Sequence, residues 1–124
     1  EIPVKNQTYR MTMLFDFYGD ILTERQRELF DLYYNEDLSL AEIAENCGIS
    51  RQGVRDVIVR AEAAMNELED KTGLLKRFMR MQDSVDAIVA AANEIKTINY
   101  RQYENHRLEE LADSIIAGAG VLKE

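Results

Sequence analysis

The stretch Ser39-Leu-Ala-Glu-Ile-Ala-Glu-Asn-Cys-Gly-Ile-Ser-Arg-Gln-Gly-Val-Arg-Asp-Val-Ile-Val59 decides the fold. Ala44 is small where two helices must approach closely. Gly48, four residues on, can take the positive φ that ends a helix in a sharp turn. Val54, six residues further, is apolar where a second helix docks back on the first. Ile43, Cys47, Ile49 and Val57 take the remaining inward positions. These steric requirements, met together at fixed offsets, read as a helix-turn-helix.

Working outward, the helix starts are written in local chemistry. Thr23-Glu-Arg-Gln26 and Ser39-Leu-Ala-Glu42 have the capping-box form, in which the hydroxyl and the N3 side chain satisfy each other's backbone donors. Ser50 is a third hydroxyl cap. Leu38 with Ile43, and Ile49 with Val54, stand where a hydrophobic staple needs them. Helices are therefore expected over Glu24–Tyr34, over Leu40–Cys47, and from Arg51 onward through Val54, Ile58, Ala61, Met65 and Leu68. Ahead of them Gln7–Tyr18 reads as a first helix through Met11, Leu14 and Phe15, closed by Gly19. In the second helix Leu29, Phe30, Leu32 and Tyr33 are expected to face inward.

Gly73 breaks the chain. Beyond it Leu74, Phe78, Met81, Val85, Ile88, Ala92 and Ile95 recur as a heptad seam, which serves either the chain's own helices or a second copy. After a break at Thr97–Asn99, a last helix is expected over Arg101–Ala117 through Leu108, Leu111, Ala112 and Ile115, ended by Gly118-Ala-Gly120. The expected organisation is all-α: a helix-turn-helix bundle over residues 1–72 and a C-terminal extension of long helices over 73–124. The extension is expected to be a helical hairpin that makes the protein a homodimer.

Composition agrees with a folded, helical chain. Of 124 residues, 46% are hydrophobic, enough for a core, and a single proline with six glycines leaves helices uninterrupted. The formal net charge is −8. Residues 39–60 balance three acids (Glu42, Glu45, Asp56) against three bases (Arg51, Arg55, Arg60), so phosphate attraction is modest. One cysteine and one histidine exclude an internal disulfide and a zinc site of the usual composition. No apolar run reaches the ~20 residues of a membrane-spanning helix and no signal peptide is evident, so a cytoplasmic protein without membrane insertion is expected.

In a helix-turn-helix the second helix enters the major groove with its N-terminal residues at the base edges. Here these are Ser50, Arg51, Gln52, Arg55 and Asp56. Arginine pairs with guanine O6 and N7, and glutamine with adenine N6 and N7. Ser50 with the first-turn amides suits a phosphate. Arg60, a turn further along, suits the DNA backbone, and Thr23, Arg25 and Arg27 on the second helix suit a phosphate strand. Cys47 is expected to be a buried small hydrophobe and His106 a surface residue. With no glycine-rich phosphate loop and no acid–base constellation, neither a catalytic residue nor a metal ligand nor a cofactor is expected.

Leu22-Thr-Glu-Arg-Gln-Arg-Glu-Leu-Phe-Asp-Leu-Tyr-Tyr34, with Ser39-Leu-Ala-Glu-Ile-Ala-Glu45 and Gly48-Ile-Ser-Arg-Gln-Gly-Val54, resembles the promoter-reading C-terminal domain of sigma factors. The early Asp16-Phe-Tyr-Gly-Asp-Ile-Leu-Thr23, the Ile49–Val54 segment and the length bring it closer to the YlxM family of small sigma-like helix-turn-helix proteins. The resemblance covers about residues 8 to 80. It implies base contact at Arg51, Gln52 and Asp56 and phosphate contact at Arg25 and Arg55. Gly53 departs from it, standing where sigma domains often carry a larger, charged residue. The family's gene neighbourhood further implies a regulatory or accessory link to the signal recognition particle. The expected function is a DNA-binding transcription regulator. The alternative is a protein- or ribonucleoprotein-interaction accessory factor that keeps the helix-turn-helix as a scaffold.

Overall fold

The computed structural model describes residues 5–123. Among the described residues all regular structure is helical, and there is no strand. The order is α1 (Lys5–Tyr18), a 3-10 turn (Gly19–Ile21), α2 (Glu24–Tyr34), α3 (Leu40–Cys47), α4 (Arg51–Thr72), α5 (Leu74–Ile98), a π turn (Asn99–Tyr103) and α6 (His106–Val121). The chain divides into two compact units between Leu75 and Lys76.

The expected caps are all present. Thr23 Oγ1 accepts from Gln26 N at 3.1 Å while Thr23 N donates to Gln26 Oε1 at 3.0 Å. Ser39 and Glu42 make the same reciprocal pair. Gly48 ends α3 at φ 71° and Gly73 ends α4 at φ 62°, left-handed conformations that a Cβ would strain.

In the first unit α4 is the central element, packing on α1, α2 and α3. Its buried row Val54, Ile58, Ala61, Met65 and Glu69 meets Met11, Leu14 and Tyr18 of α1, Leu29, Phe30 and Tyr34 of α2, and Ile43 and Ala44 of α3 in one core. Phe30 stacks on Phe15 with ring centroids 4.8 Å apart and lies 4.5 Å from Tyr34. Leu32 and Tyr33, expected inward, are half-buried, because the phase of α2 turns Tyr34 into the core instead. Cys47 likewise is half-buried against the core rather than enclosed by it.

Two polar groups are carried into this core with partners. The Tyr18 hydroxyl donates to Glu69 Oε1 at 2.7 Å, and the same oxygen accepts from Leu75 N at 3.0 Å. Glu69 thereby satisfies a first-turn amide of α5 and links it to α1. Tyr34 donates to Glu62. Burial first, then the adjacent Glu69 carboxylate, pushes the Tyr18 phenol above its ordinary value, against the Thr72 hydrogen bond that favours the phenolate. Burial, with the Glu62 hydrogen bond and charge, pushes Tyr34 up still further.

In the second unit the ion pairs Lys96–Asp113 (2.6 Å), Lys96–Glu109 (3.3 Å) and Lys123–Asp86 (2.5 Å) set α6 antiparallel to α5. The Asp113 and Glu109 carboxylates hold the Lys96 ammonium above its ordinary value. Buried positions recur every seven residues: Val85 and Ala92 on α5, Asn99 at the head of the turn that follows, and Ala112 and Ala119 on α6. The expected seam is thus corrected. Phe78, Val85 and Ala92 do turn inward, whereas Leu74, Met81, Ile88 and Ile95 are exposed. The expected break at Thr97–Asn99 comes later, since α5 continues to Ile98. Asn99 Nδ2 then donates to Asn105 O and Asn99 Oδ1 accepts from Asn105 N, closing the turn. The last helix starts at His106, capped by Asn105, and it runs through Gly118 and Gly120, which were expected to end it.

Two predictions follow from the buried phenols. Tyr18→Phe removes one of the two hydrogen bonds accepted by the buried Glu69 Oε1, so urea unfolding should show a loss of about 1–3 kcal/mol. A phenol whose folded pKa exceeds its unfolded value holds its proton more tightly in the native state, so its stabilisation is complete below the ordinary value of 10.0 and is lost as pH rises through the folded value. Urea-derived stability should therefore fall above about pH 10, with the Tyr18 and Tyr34 phenolates appearing only as the protein unfolds. Tyrosinate absorbance that reaches its full amplitude while helical circular dichroism is intact would contradict this.

Candidate nucleic-acid interface

The site is the start of α4 and the turn that delivers it. Gly48 ends α3, Ile49 packs on the core, and Ser50 opens α4 by accepting from Gly53 N at 2.9 Å. A Cβ at position 53 would lie 3.2 Å from Ser50 Oγ, so the glycine that departs from the sigma-like pattern keeps room for the cap. Val54, fully buried two residues beyond Gln52, seats the helix on the core.

The eight residues expected to contact DNA are brought to the surface in different ways. Ser50, Arg51, Gln52, Asp56, Arg60, Arg25 and Arg27 are exposed, and Arg55 is half-buried. Gln52 and Asp56 share the face of α4 opposite its buried row, where Gln52 Nε2 donates to Asp56 Oδ1 at 2.9 Å. This pairing occupies one of the two amide hydrogens that could reach adenine N7. It also holds the pair in one orientation. Arg51 and Arg55 stand ~40° apart on one flank of the helix. Arg60, ~140° further round from Arg55, faces another direction and does not join them.

Arg51 leans toward the helix-turn-helix itself. It lines a cleft of about 430 Å³ with Thr8, Tyr33, Tyr34, Asp37, Ser39 and Glu42. On α2, Arg25 lies 3.9 Å from Glu28 and Arg27 3.6 Å from Asp20, long exposed pairs of the kind worth ~0–1 kcal/mol. Thr23 Oγ1, by contrast, is engaged as the helix cap. The outward face also carries Val59, 45% exposed and one turn beyond Asp56. The sequence reading passed it over, although its spacing from Gln52 and Asp56 marks the same face. An apolar side chain there suits a thymine methyl group.

The surroundings stay acidic, with Asp37, Glu42 and Asp56 beside Arg51 and Arg55. Among the described residues no cluster of metal-ligating side chains occurs, and no helix is long and apolar enough to cross a membrane. His106 is an exposed side chain 3.4 Å from Glu110 at the start of α6.

Comparison with known proteins agrees with this architecture. The model of the family UPF0122, described as "Putative helix-turn-helix protein, YlxM / p13 like", matches residues 5–113. A UPF0122 protein of Thermoanaerobacter sp. (strain X514) is 50% identical over 78 residues, covering 63% of this chain and 67% of the relative. One from Acetivibrio thermocellus is 36% identical over 116 residues, covering 88% of this chain and 99% of the relative. One from Bacillus thuringiensis (strain Al Hakam) is 41% identical over 109 residues, covering 88% and 94%. With the caps, the αL glycine and the docked second helix all in place, the chain belongs to the UPF0122 family of YlxM/p13-like helix-turn-helix proteins.

Proposed function

We propose that the protein is a DNA-binding regulator that reads the major groove with the first two turns of α4. The observation that carries this reading is the grouping of Gln52, Asp56 and Val59 on the outward face of a helix seated by Val54 and Ile58. Arg51 and Arg55 stand on the adjoining flank. In this reading Gln52 and Asp56 separate on contact, the amide pairing with adenine and the carboxylate accepting from a cytosine amino group. Arg55, Arg25 and Arg27 neutralise phosphates, with Ser50 and the first-turn amides holding a further one. Arg60 meets the backbone only if the DNA follows the helix around its other flank.

One observation favours a second reading, an accessory factor that binds a protein or a ribonucleoprotein. The net charge of −8 and the acids around α4 oppose phosphate rather than attract it. The resemblance to YlxM makes the signal recognition particle the partner to try.

Titration of labelled duplexes and of the particle's RNA against salt separates the two readings. For a DNA regulator, a selected duplex should bind tenfold or more above random duplex, about 1.4 kcal/mol. Gln52→Ala should relax base preference by roughly 1–3 kcal/mol. Arg55→Ala should weaken all duplexes alike and lower the salt slope by about 1. Asp56→Asn should strengthen non-specific binding by removing a phosphate-repelling charge. If no duplex binds at low salt, the regulator reading fails. Retention of the particle's protein subunits by the chain, indifferent to Gln52→Ala and Arg55→Ala, would establish the accessory reading in its place.

A further inference from the structure

The second unit buries one stripe of each helix and leaves another apolar stripe in water. On α5 the exposed row Met81, Ile88 and Ile95 stands three residues after the inward row Phe78, Val85 and Ala92, which is ~60° behind it around the helix. On α6 Ile115, and at its C-cap Leu122, stand three residues after the buried Ala112 and Ala119, with Leu111 one residue before Ala112. Because the helices run antiparallel, offsets of the same sense fall on the same side of the plane through their axes. The two rows therefore make one face.

Exposure and charge agree on this. Met81 is 42%, Ile88 46%, Ile95 43%, Leu111 42%, Ile115 44% and Leu122 50% exposed. The outer flank of the α5 row, Ser84, Ala91 and Ile98, carries no charge. The interhelical ion pairs, Lys96 with Glu109 and Asp113 and Lys123 with Asp86, lie at offsets of the opposite sense and so on the opposite side. The hairpin is amphipathic across its thickness, with its charges already paired on one side and bare hydrocarbon on the other.

We infer that this face is covered by the same face of a second copy, making a four-helix bundle from two hairpins. An uncharged face is self-complementary, as a two-fold contact requires, since no residue on it needs an opposite partner. Both rows keep a seven-residue repeat, so two such hairpins interdigitate as knobs and holes. From Met81 to Ile98 the face is ~26 Å long. Two helices make it ~20 Å wide, a projected area of roughly 500 Å² that side-chain relief carries toward the ~800 Å² per partner of a stable dimer. That is at the upper end of what monomers leave exposed. The dimer stands apart from the DNA-binding reading and holds or fails independently of it.

Sedimentation equilibrium of the full chain should give twice the 14.3 kDa chain mass at micromolar concentration. Ile88→Asp with Ile115→Asp should weaken association at least ~100-fold, as loss of central interface residues does, with helical circular dichroism retained. Asn93→Asp, on the side of the paired charges, should leave the mass unchanged. In the unsubstituted protein the methyl groups of Ile88 and Ile115 should be shielded from a paramagnetic solvent probe; this measurement decides the matter if the double variant fails to fold. A monomer whose Ile88 and Ile115 methyls are accessible, or a dimer indifferent to the double variant, would overturn the inference.

Discussion

The first unit depends on one constraint, that α4 must bury a single row of side chains against three other helices at once. Val54, Ile58, Ala61 and Met65 lie in the one core shared with α1, α2 and α3, and Glu69 bonds to Tyr18 of α1. Ala61 and Met65 are both fully buried in that row, where a close-packed core resists any change of side-chain volume. With one face of α4 committed in this way, the outward face is dictated by helical geometry alone. The positions of Gln52, Asp56 and Val59 are consequences of where Val54 and Ile58 pack, so the scaffold and the candidate interface are two sides of the same helix.

Elements whose determinants are local were legible in the sequence. The starts of α2, α3 and α4 are set by a hydroxyl and a residue three places on, and Gly48 and Gly73 by their own φ. The inward phase of α5 was not legible, because apolar residues cover a wide arc of that helix. Leu74 is as apolar as its buried neighbour Leu75, and Ile88 as its half-buried neighbour Val89. Gln82 and Lys96 occupy places between inward rows that a purely apolar pattern would never assign to them. Lys96 does so because Asp113 and Glu109 meet it from α6. The start of α6 was missed for a related reason: Asn99 and Asn105 close the turn through side chain-to-backbone bonds spanning six residues. Gly118 and Gly120 look like terminators, yet a helix already nucleated carries them at a cost of ~1 kcal/mol each.

At the candidate interface the sequence named the residues but not their grouping. Spacing put Arg51 and Arg55 on one flank, where the structure has them. It could not foresee that Arg51 would border a cleft with Tyr33 and Glu42, or that Gln52 and Asp56 would hold each other. Such pairing matters for discrimination. A site whose polar groups are satisfied in the free protein must exchange those bonds for equivalent ones on the ligand, so a sequence offering only one partner loses on both sides of the exchange. Weak overall attraction to phosphate sharpens that dependence, because less of the binding is indifferent to sequence.

The joint between α4 and α5 carries one more implication. Only Gly73 separates the two helices, and the first amides of α5 come within reach of the Glu69 carboxylate because of that economy of length. An inserted residue there would carry Leu75 N away from Glu69 Oε1 and cost the buried carboxylate one of its hydrogen bonds, while a deleted one would remove the left-handed glycine that ends α4. The connection from Asn35 to Ser39 has no such tether to a buried charge. A change of chain length should therefore be borne better between α2 and α3 than at position 73, where it breaks a hydrogen bond to a buried carboxylate.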